Sequence, residues 1–207
     1  MNKKTIVMAV LCAAASTASA QLEKGKILIG GSAGTYNSKS SYDDYADSKS
    51  RGITIAPMIG YFVSDNLVIG TALRYAFHKN RFSYDSKAEE TNYIISPFAR
   101  YYLSISPSFK FFGDFSVGIG KIETKTYNPF DDSSYRLTKE NTYGTSLAPG
   151  LTFLPAKRWS VDLRFTLFNY SRNEKTHEIP NTNYYKTNQF SFGLTTMNPT
   201  IGVNFHL

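Results

Sequence analysis

The chain has 207 residues, a formal net charge of +7 and a mean hydropathy of −0.30. Its one cysteine, Cys12, lies near the N-terminus, and no later stretch approaches the roughly 18 consecutive apolar residues of a membrane helix. A helical membrane protein, a disulfide scaffold and a cysteine-ligated metal protein are excluded, so the 15 Tyr and 15 Phe need another fold to place them.

Residues 1–20 read as a secretory signal. Lys3 and Lys4 form the basic start, 6–15 the apolar core, and Ala18-Ser19-Ala20 a small-residue cleavage site that leaves Gln21 as the first mature residue. Cys12 follows Leu11, where lipoprotein signals resemble one another in having a small residue. The expected mature domain, 21–207, has 207 − 20 = 187 residues and no cysteine. Its charge, without Lys3 and Lys4, is +5, too modest to argue for nucleic acid.

From there the period is two. A first strand is expected over 26–36. In 53–62 the odd positions carry Ile53, Ile55, Ile59 and Tyr61, while the even ones begin with Thr54, Ala56, Met58 and Gly60. The parity recurs in 67–78, with Leu67, Ile69, Leu73 and Tyr75 against Gly70, Ala72 and Arg74. Segments 93–103 and 109–122 follow with lower contrast. In 143–154 and 159–170 large apolar residues again alternate with Gly, Ser, Ala and Thr, and 198–207 completes a count of eight. Segment 189–194 also alternates, so the last strand has a second possible start. Each strand spans about 9–12 residues, the reach of a tilted membrane strand. The second face is small rather than densely charged. That favours a lipid-facing apolar exterior and a crowded lumen over a soluble barrel.

The connections alternate in length. Those at 63–66, 104–108 and 155–158 are short, whereas 37–50, 79–91, 123–141 and 171–187 are long and polar. This predicts a closed, antiparallel, up-and-down β-barrel of eight strands with short periplasmic turns and four long extracellular loops. A loose repeat places Pro57, Pro97, Pro149 and Pro199 once per hairpin, 40, 52 and 50 residues apart. Each is expected to mark a break in pairing near the outer rim. Aromatic residues gather at strand ends. Tyr61, Phe62, Tyr101, Tyr102, Phe153, Trp159 and Phe205 are expected beside the short turns, and Tyr75, Phe77, Tyr93, Tyr143 and Tyr170 beside the long loops.

Six charges fall on the lumen parity: Arg74, Arg100, Lys110, Asp114, Asp162 and Arg164. Isolated charges in a narrow interior are costly, so they are expected to join in a polar network that plugs the barrel. Enzymatic chemistry has thin support. His78 stands at a strand end, His177 in a loop and His206 one residue from the C-terminus. Asp43, Asp44 and Asp47 lack the glycine and spacing of a calcium loop. No catalytic, cofactor or metal site is expected. The Tyr-, Ser- and Asn-rich loops, with Tyr42, Tyr45, Tyr184 and Tyr185, suit adaptable contact with an extracellular ligand.

The hairpin Pro57-Met58-Ile59-Gly60-Tyr61-Phe62-Val63-Ser64-Asp65-Asn66-Leu67 resembles that of small outer-membrane barrels of Gram-negative bacteria, of the OmpA/OmpX-like kind and Bacteroidota type. Thr200-x-Gly202-x-x-Phe205-x-Leu207 resembles the family's C-terminal assembly signal, departing from it at Leu207, where an aromatic is usual. The resemblance implies an integral outer-membrane protein, monomeric and non-enzymatic, with a structural or surface-interaction role. It implies as partners outer-membrane lipids and lipopolysaccharide, periplasmic chaperones and the barrel-assembly machinery. A small porin and a lipid A-modifying enzyme are the alternatives. The enzymes of that second kind resemble one another in a His followed two positions later by Ser, where this chain has Asn80.

Overall fold

The computed structural model describes residues 22–42, 45–81, 87–128, 131–176, 185–193 and 199–207. The expected signal and its cleavage residues Ala18, Ala20 and Gln21 lie outside the described residues, as do Asp43, Asp44, His177 and Tyr184. Ten strand segments follow in chain order. They are β1 (Ile27–Tyr42), β2 (Tyr45–Ser64), β3 (Leu67–Arg81), β4 (Lys87–Ser104), β5 (Phe109–Asn128), β6 (Asp131–Ala156), β7 (Trp159–Arg164), β8 (Phe168–Thr176), β9 (Tyr185–Phe192) and β10 (Thr200–His206). All neighbours are antiparallel, and the β1–β10 register, Leu28↔His206 to Ser32↔Gly202, closes the sheet on itself.

Two pairs of segments are halves of single wall strands. Phe165 and Leu167 bridge β7 and β8 by donating backbone bonds to Pro149 and Leu147 of β6. β9 and β10 are the two stretches of the last strand, so that strand begins at Tyr185, before the second start that the alternation offered. Ten segments less two breaks give eight wall strands. The break in the seventh is a bulge: Gly150↔Arg164 and Leu147↔Phe168 set three steps of β6 against four of its neighbour. Parity flips there, so Asn169 and Ser171 face the lumen while Tyr170 faces out.

The three short turns fall where expected. The long connections differ. Strands continue through most of them, with β6 reaching 26 residues, so the wall projects well past the roughly 9–11 residues a bilayer needs. The cause is cross-strand pairing of polar residues, such as Lys79↔Glu89 and Glu123↔Lys139, which carries the ladder into water where hydropathy alone suggests loop.

The four prolines form a ring. Pro57, Pro97, Pro149 and Pro199 each stand seven residues before the last residue of β2, β4, β6 and β10, at Ser64, Ser104, Ala156 and His206. At each, pairing to the following wall strand lapses. The β2–β3 ladder skips from Ile55 to Met58 and the β4–β5 ladder from Ile95 to Phe98. The β6 ladder changes partner between Leu147 and Gly150, and the β1–β10 ladder stops at Gly202. A proline has no N–H to give the next strand. Their height corrects the outer-rim expectation: Pro97 lies four residues from Tyr93 above and four from Tyr101 below, at mid-wall.

The exterior is apolar from Tyr101, Phe111 and Trp159 at the turn end to Tyr75, Tyr93 and Tyr143 at the other, all exposed. Paired rings stiffen both bands, with centroids 4.8 Å apart for Trp159–Phe205, 4.9 Å for Phe109–Phe153 and 5.3 Å for Tyr75–Tyr93. Phe62 and Tyr102 are corrections. Both are fully buried inside the barrel, because their even parity outranks their position at a strand end. Val117 lies at mid-wall and faces out. Val117→Arg is expected to cost about 2–4 kcal/mol of folding stability in lipid, read by heat-modifiable gel migration across a urea series.

Candidate functional site

The lumen has two levels. Its lower half is a floor of Leu28, Phe62, Val68, Tyr102, Phe112 and Leu154, all fully buried, with Phe98 at its upper side and Leu22 tucked in ahead of β1. Glycines make room for the rings. The Phe98 ring crosses its register partner Gly70, and Phe112 crosses Gly150, where a Cβ would stand 2.2 Å from Phe112 Cζ. A larger residue at either glycine displaces the floor.

Over these rings sits Arg100, 2% exposed. It forks onto its cross-strand partner Asp114, with Nε 2.6 Å from Oδ1 and Nη2 2.9 Å from Oδ2. Its Nη1 donates to Asp162 across the barrel and to Tyr102 Oη at 3.2 Å. The guanidinium carbon lies 4.1 Å from the Phe112 ring centroid. Asp162 also accepts from Thr152 Oγ1 at 2.8 Å and Asn204 Nδ2 at 2.9 Å. Asn204 reaches on to Ser160, which contacts His206 Nε2 at 3.0 Å. One cation facing two carboxylates leaves an excess negative charge, and Arg164, 3.6 Å from Asp114, offsets it. The four charges sum to zero, as a buried ionic cluster requires.

The six lumen charges thus divide. Arg100, Asp114, Asp162 and Arg164 come together. Lys110 lies lower and donates to Ser104 Oγ at 2.8 Å. Arg74 stands higher, and among the described residues it has no ion-pair partner. The floor aromatics escaped sequence reading because they sit on the small-residue face. Their signal was the pairing of Phe98 and Phe112 with glycines on neighbouring strands.

Above the floor the lumen opens into a cavity of about 830 Å³. Serine, threonine and asparagine are its commonest lining residues, set among alanines, glycines and a few larger apolar side chains, and its charged lining residues are Arg74, Arg164 and Asp114. At the rim, the His78 imidazole lies against Gly52, and Ser50 Oγ donates to Asn80 Oδ1 at 2.6 Å. On the outer face above the aromatic band, Lys79 donates to Glu89 at 2.7 Å and Tyr127 Oη donates to it at 3.0 Å. The Lys79 bond holds the Glu89 carboxyl below its usual range, and donating to Glu89 raises the Tyr127 phenol. Among the C-terminal signal residues, Thr200 and Gly202 lie on the lumen parity while Phe205 packs edge-on against Trp159 outside. Leu207 exchanges two backbone bonds with Ile27, at 2.8 and 3.0 Å, which seals the closure at its lower end.

A family model described as an outer membrane protein beta-barrel domain matches residues 5–197. The outer membrane protein OprG from Pseudomonas aeruginosa shares the fold, with a TM-score of 0.53 at 13% identity, over 91% of this chain and 98% of that one. The attachment invasion locus protein Ail of Yersinia pestis, solved with the heparin analogue sucrose octasulfate, gives 0.44 at 16% identity over 89% and 99%. Neisserial surface protein A gives 0.44 at 15% identity over 88% and 97%. No curated protein matches the chain.

Arg100→Met leaves two buried carboxylates facing each other and is expected to cost about 3–5 kcal/mol in urea titrations of the lipid-embedded barrel. Adding Asp162→Asn to that variant leaves Arg164 and Asp114 as a balanced pair and is expected to recover much of the loss.

Proposed function

The chain belongs to the outer membrane protein beta-barrel domain family, and from that membership we propose a non-enzymatic envelope protein that combines a structural barrel with a surface displayed on long hairpins. It is an integral protein of the outer membrane. The observation that carries the reading is the floor. Arg100, Tyr102, Phe112 and their partners fill the lower lumen with side chains that are 0–4% exposed, which favours a sealed barrel over a through-channel. An eight-stranded barrel is narrow enough for side chains to do this. The rim agrees with a non-enzymatic role, because His78 packs on a glycine and Asn80 is taken up by Ser50.

The partners follow from the outer surface. Exposed Arg51, Arg81, Lys121 and Lys139 stand on the outward parity above the aromatic band, at the height of outer-leaflet headgroups. Such a belt suits lipopolysaccharide phosphates. Thr200, Gly202, Phe205 and Leu207 serve as the signal read by the assembly machinery after periplasmic chaperones deliver a chain cleaved between Ala20 and Gln21. The hairpins above the membrane are the surface for an extracellular ligand, and the barrel works as a monomer.

Planar-bilayer recording tests the sealed lumen. The wild-type protein is expected to pass no steady current, and Arg100→Ala combined with Phe112→Ala to raise conductance above that baseline. A large steady wild-type current would overturn the reading in favour of a small porin.

A further inference from the structure

The vestibule above the floor has features that a merely structural barrel does not need. β3 and the β7–β8 strand are four positions apart in a ring of eight, so they form opposite walls. Arg74 comes from one and Arg164 from the other, and both line the same cavity. Asp114, the remaining charged lining residue, already receives two bonds from Arg100. Arg164 balances the floor cluster, and Arg74 adds one uncompensated positive charge to the cavity. Arg74 is exposed to that space, so its guanidinium is free to meet an anion that enters, and walls bearing one sign of charge concentrate such anions.

A second, independent feature concerns hydrogen bonds. Asn92 and Asn173 line the same cavity, and each holds a buried side-chain oxygen with no partner. Amides bond to hydroxyl groups as donor or as acceptor. Around them stand further hydroxyls, among them Thr54, Ser96, Ser116 and Ser146. The size fits as well: about 830 Å³ falls in the range of small-molecule sites. The floor closes the lower end, so a guest enters from outside the cell.

We propose that the vestibule is a binding site for a small, hydroxyl-rich anion, of the class of sugar acids and sugar phosphates, with Arg74 and Arg164 holding the anionic group between opposite walls. A guanidinium presents a planar pair of donors that matches a carboxylate or phosphate. The sugar hydroxyls bond to the serine, threonine and asparagine lining. The site retains its ligand rather than passing it on, because nothing leads through the floor.

Calorimetric titration of the full-length folded barrel in detergent tests this, with galacturonate and glucose 6-phosphate as probes and glucose and inorganic phosphate as controls. Both probes are expected to bind with one-to-one stoichiometry, glucose not at all, and inorganic phosphate more weakly than glucose 6-phosphate. Arg74→Gln, which breaks no ion pair of the wall, is expected to weaken both probes at least about tenfold with unchanged heat-modifiable migration. Arg74→Lys, keeping the charge but losing the fork, is expected to fall between. Equal binding of glucose and glucose 6-phosphate, affinity unchanged in Arg74→Gln, or no heat with either probe at millimolar concentration would each overturn the site. These outcomes leave the sealed floor untouched, since conductance reads that separately.

Discussion

In the hydrocarbon core of a membrane, a backbone N–H or C=O has no water to turn to, and every one must be paired within the protein. That constraint organises the whole barrel. It explains why the last strand returns to the first, with Leu28↔His206 and the paired bonds of Ile27 and Leu207 closing the sheet. It also explains how the fold dispenses with disulfides: closure removes the edges that a small exported β-domain otherwise has to protect. The proline ring sits against the constraint. Each proline withholds a donor at mid-wall, and pairing to the next strand lapses there. Turns and belts are arranged around that shared height, with aromatic bands a few residues above and below.

Closing a sheet of eight strands fixes a lumen too narrow to be a pore unless it is left empty. The chain fills the lower half with rings folded over glycines and then sets a charge among them. The guanidinium of Arg100 bonds to both carboxylates and also stacks on Phe112. Arg100 therefore ties β4, β5 and the seventh wall strand together through the centre of the barrel. Burying such a cluster adds little net stability, but removing one member leaves an uncompensated charge. The cluster thus acts chiefly to fix which strands face each other across the lumen. Above it, the loss of large side chains and the arrival of Arg74 turn the same lumen into an open vestibule.

Much of the architecture is legible in the sequence. Period-two alternation from Ile53 to Leu67 and beyond, the three tight turns and the four spaced prolines together lead to a membrane barrel. Arg100 and Asp114 are legible as lumen neighbours from parity and strand order alone. Phe62 and Tyr102 are not, because a residue at a strand end suits an interface belt by position and a floor by parity, and only the register decides. The bulge at 165–167 is equally hidden, since a one-residue slip leaves local composition unchanged while reversing every later side chain. The long polar connections read as loops because hydropathy reports solvent, not pairing. Their pairing partners lie across the hairpin, outside any local window.

The lumen is open to the outside and sealed below. Single cysteines test it cleanly, because the one native cysteine, Cys12, lies in the segment expected to be removed. Thr54→Cys places a thiol in the vestibule, and Ser160→Cys places one in the fully buried polar cluster of the floor. Labelling of intact cells with a membrane-impermeant thiol reagent is predicted to modify Thr54→Cys rapidly, and to modify Ser160→Cys only after the barrel is unfolded. Comparable labelling of both in the folded protein would contradict the account.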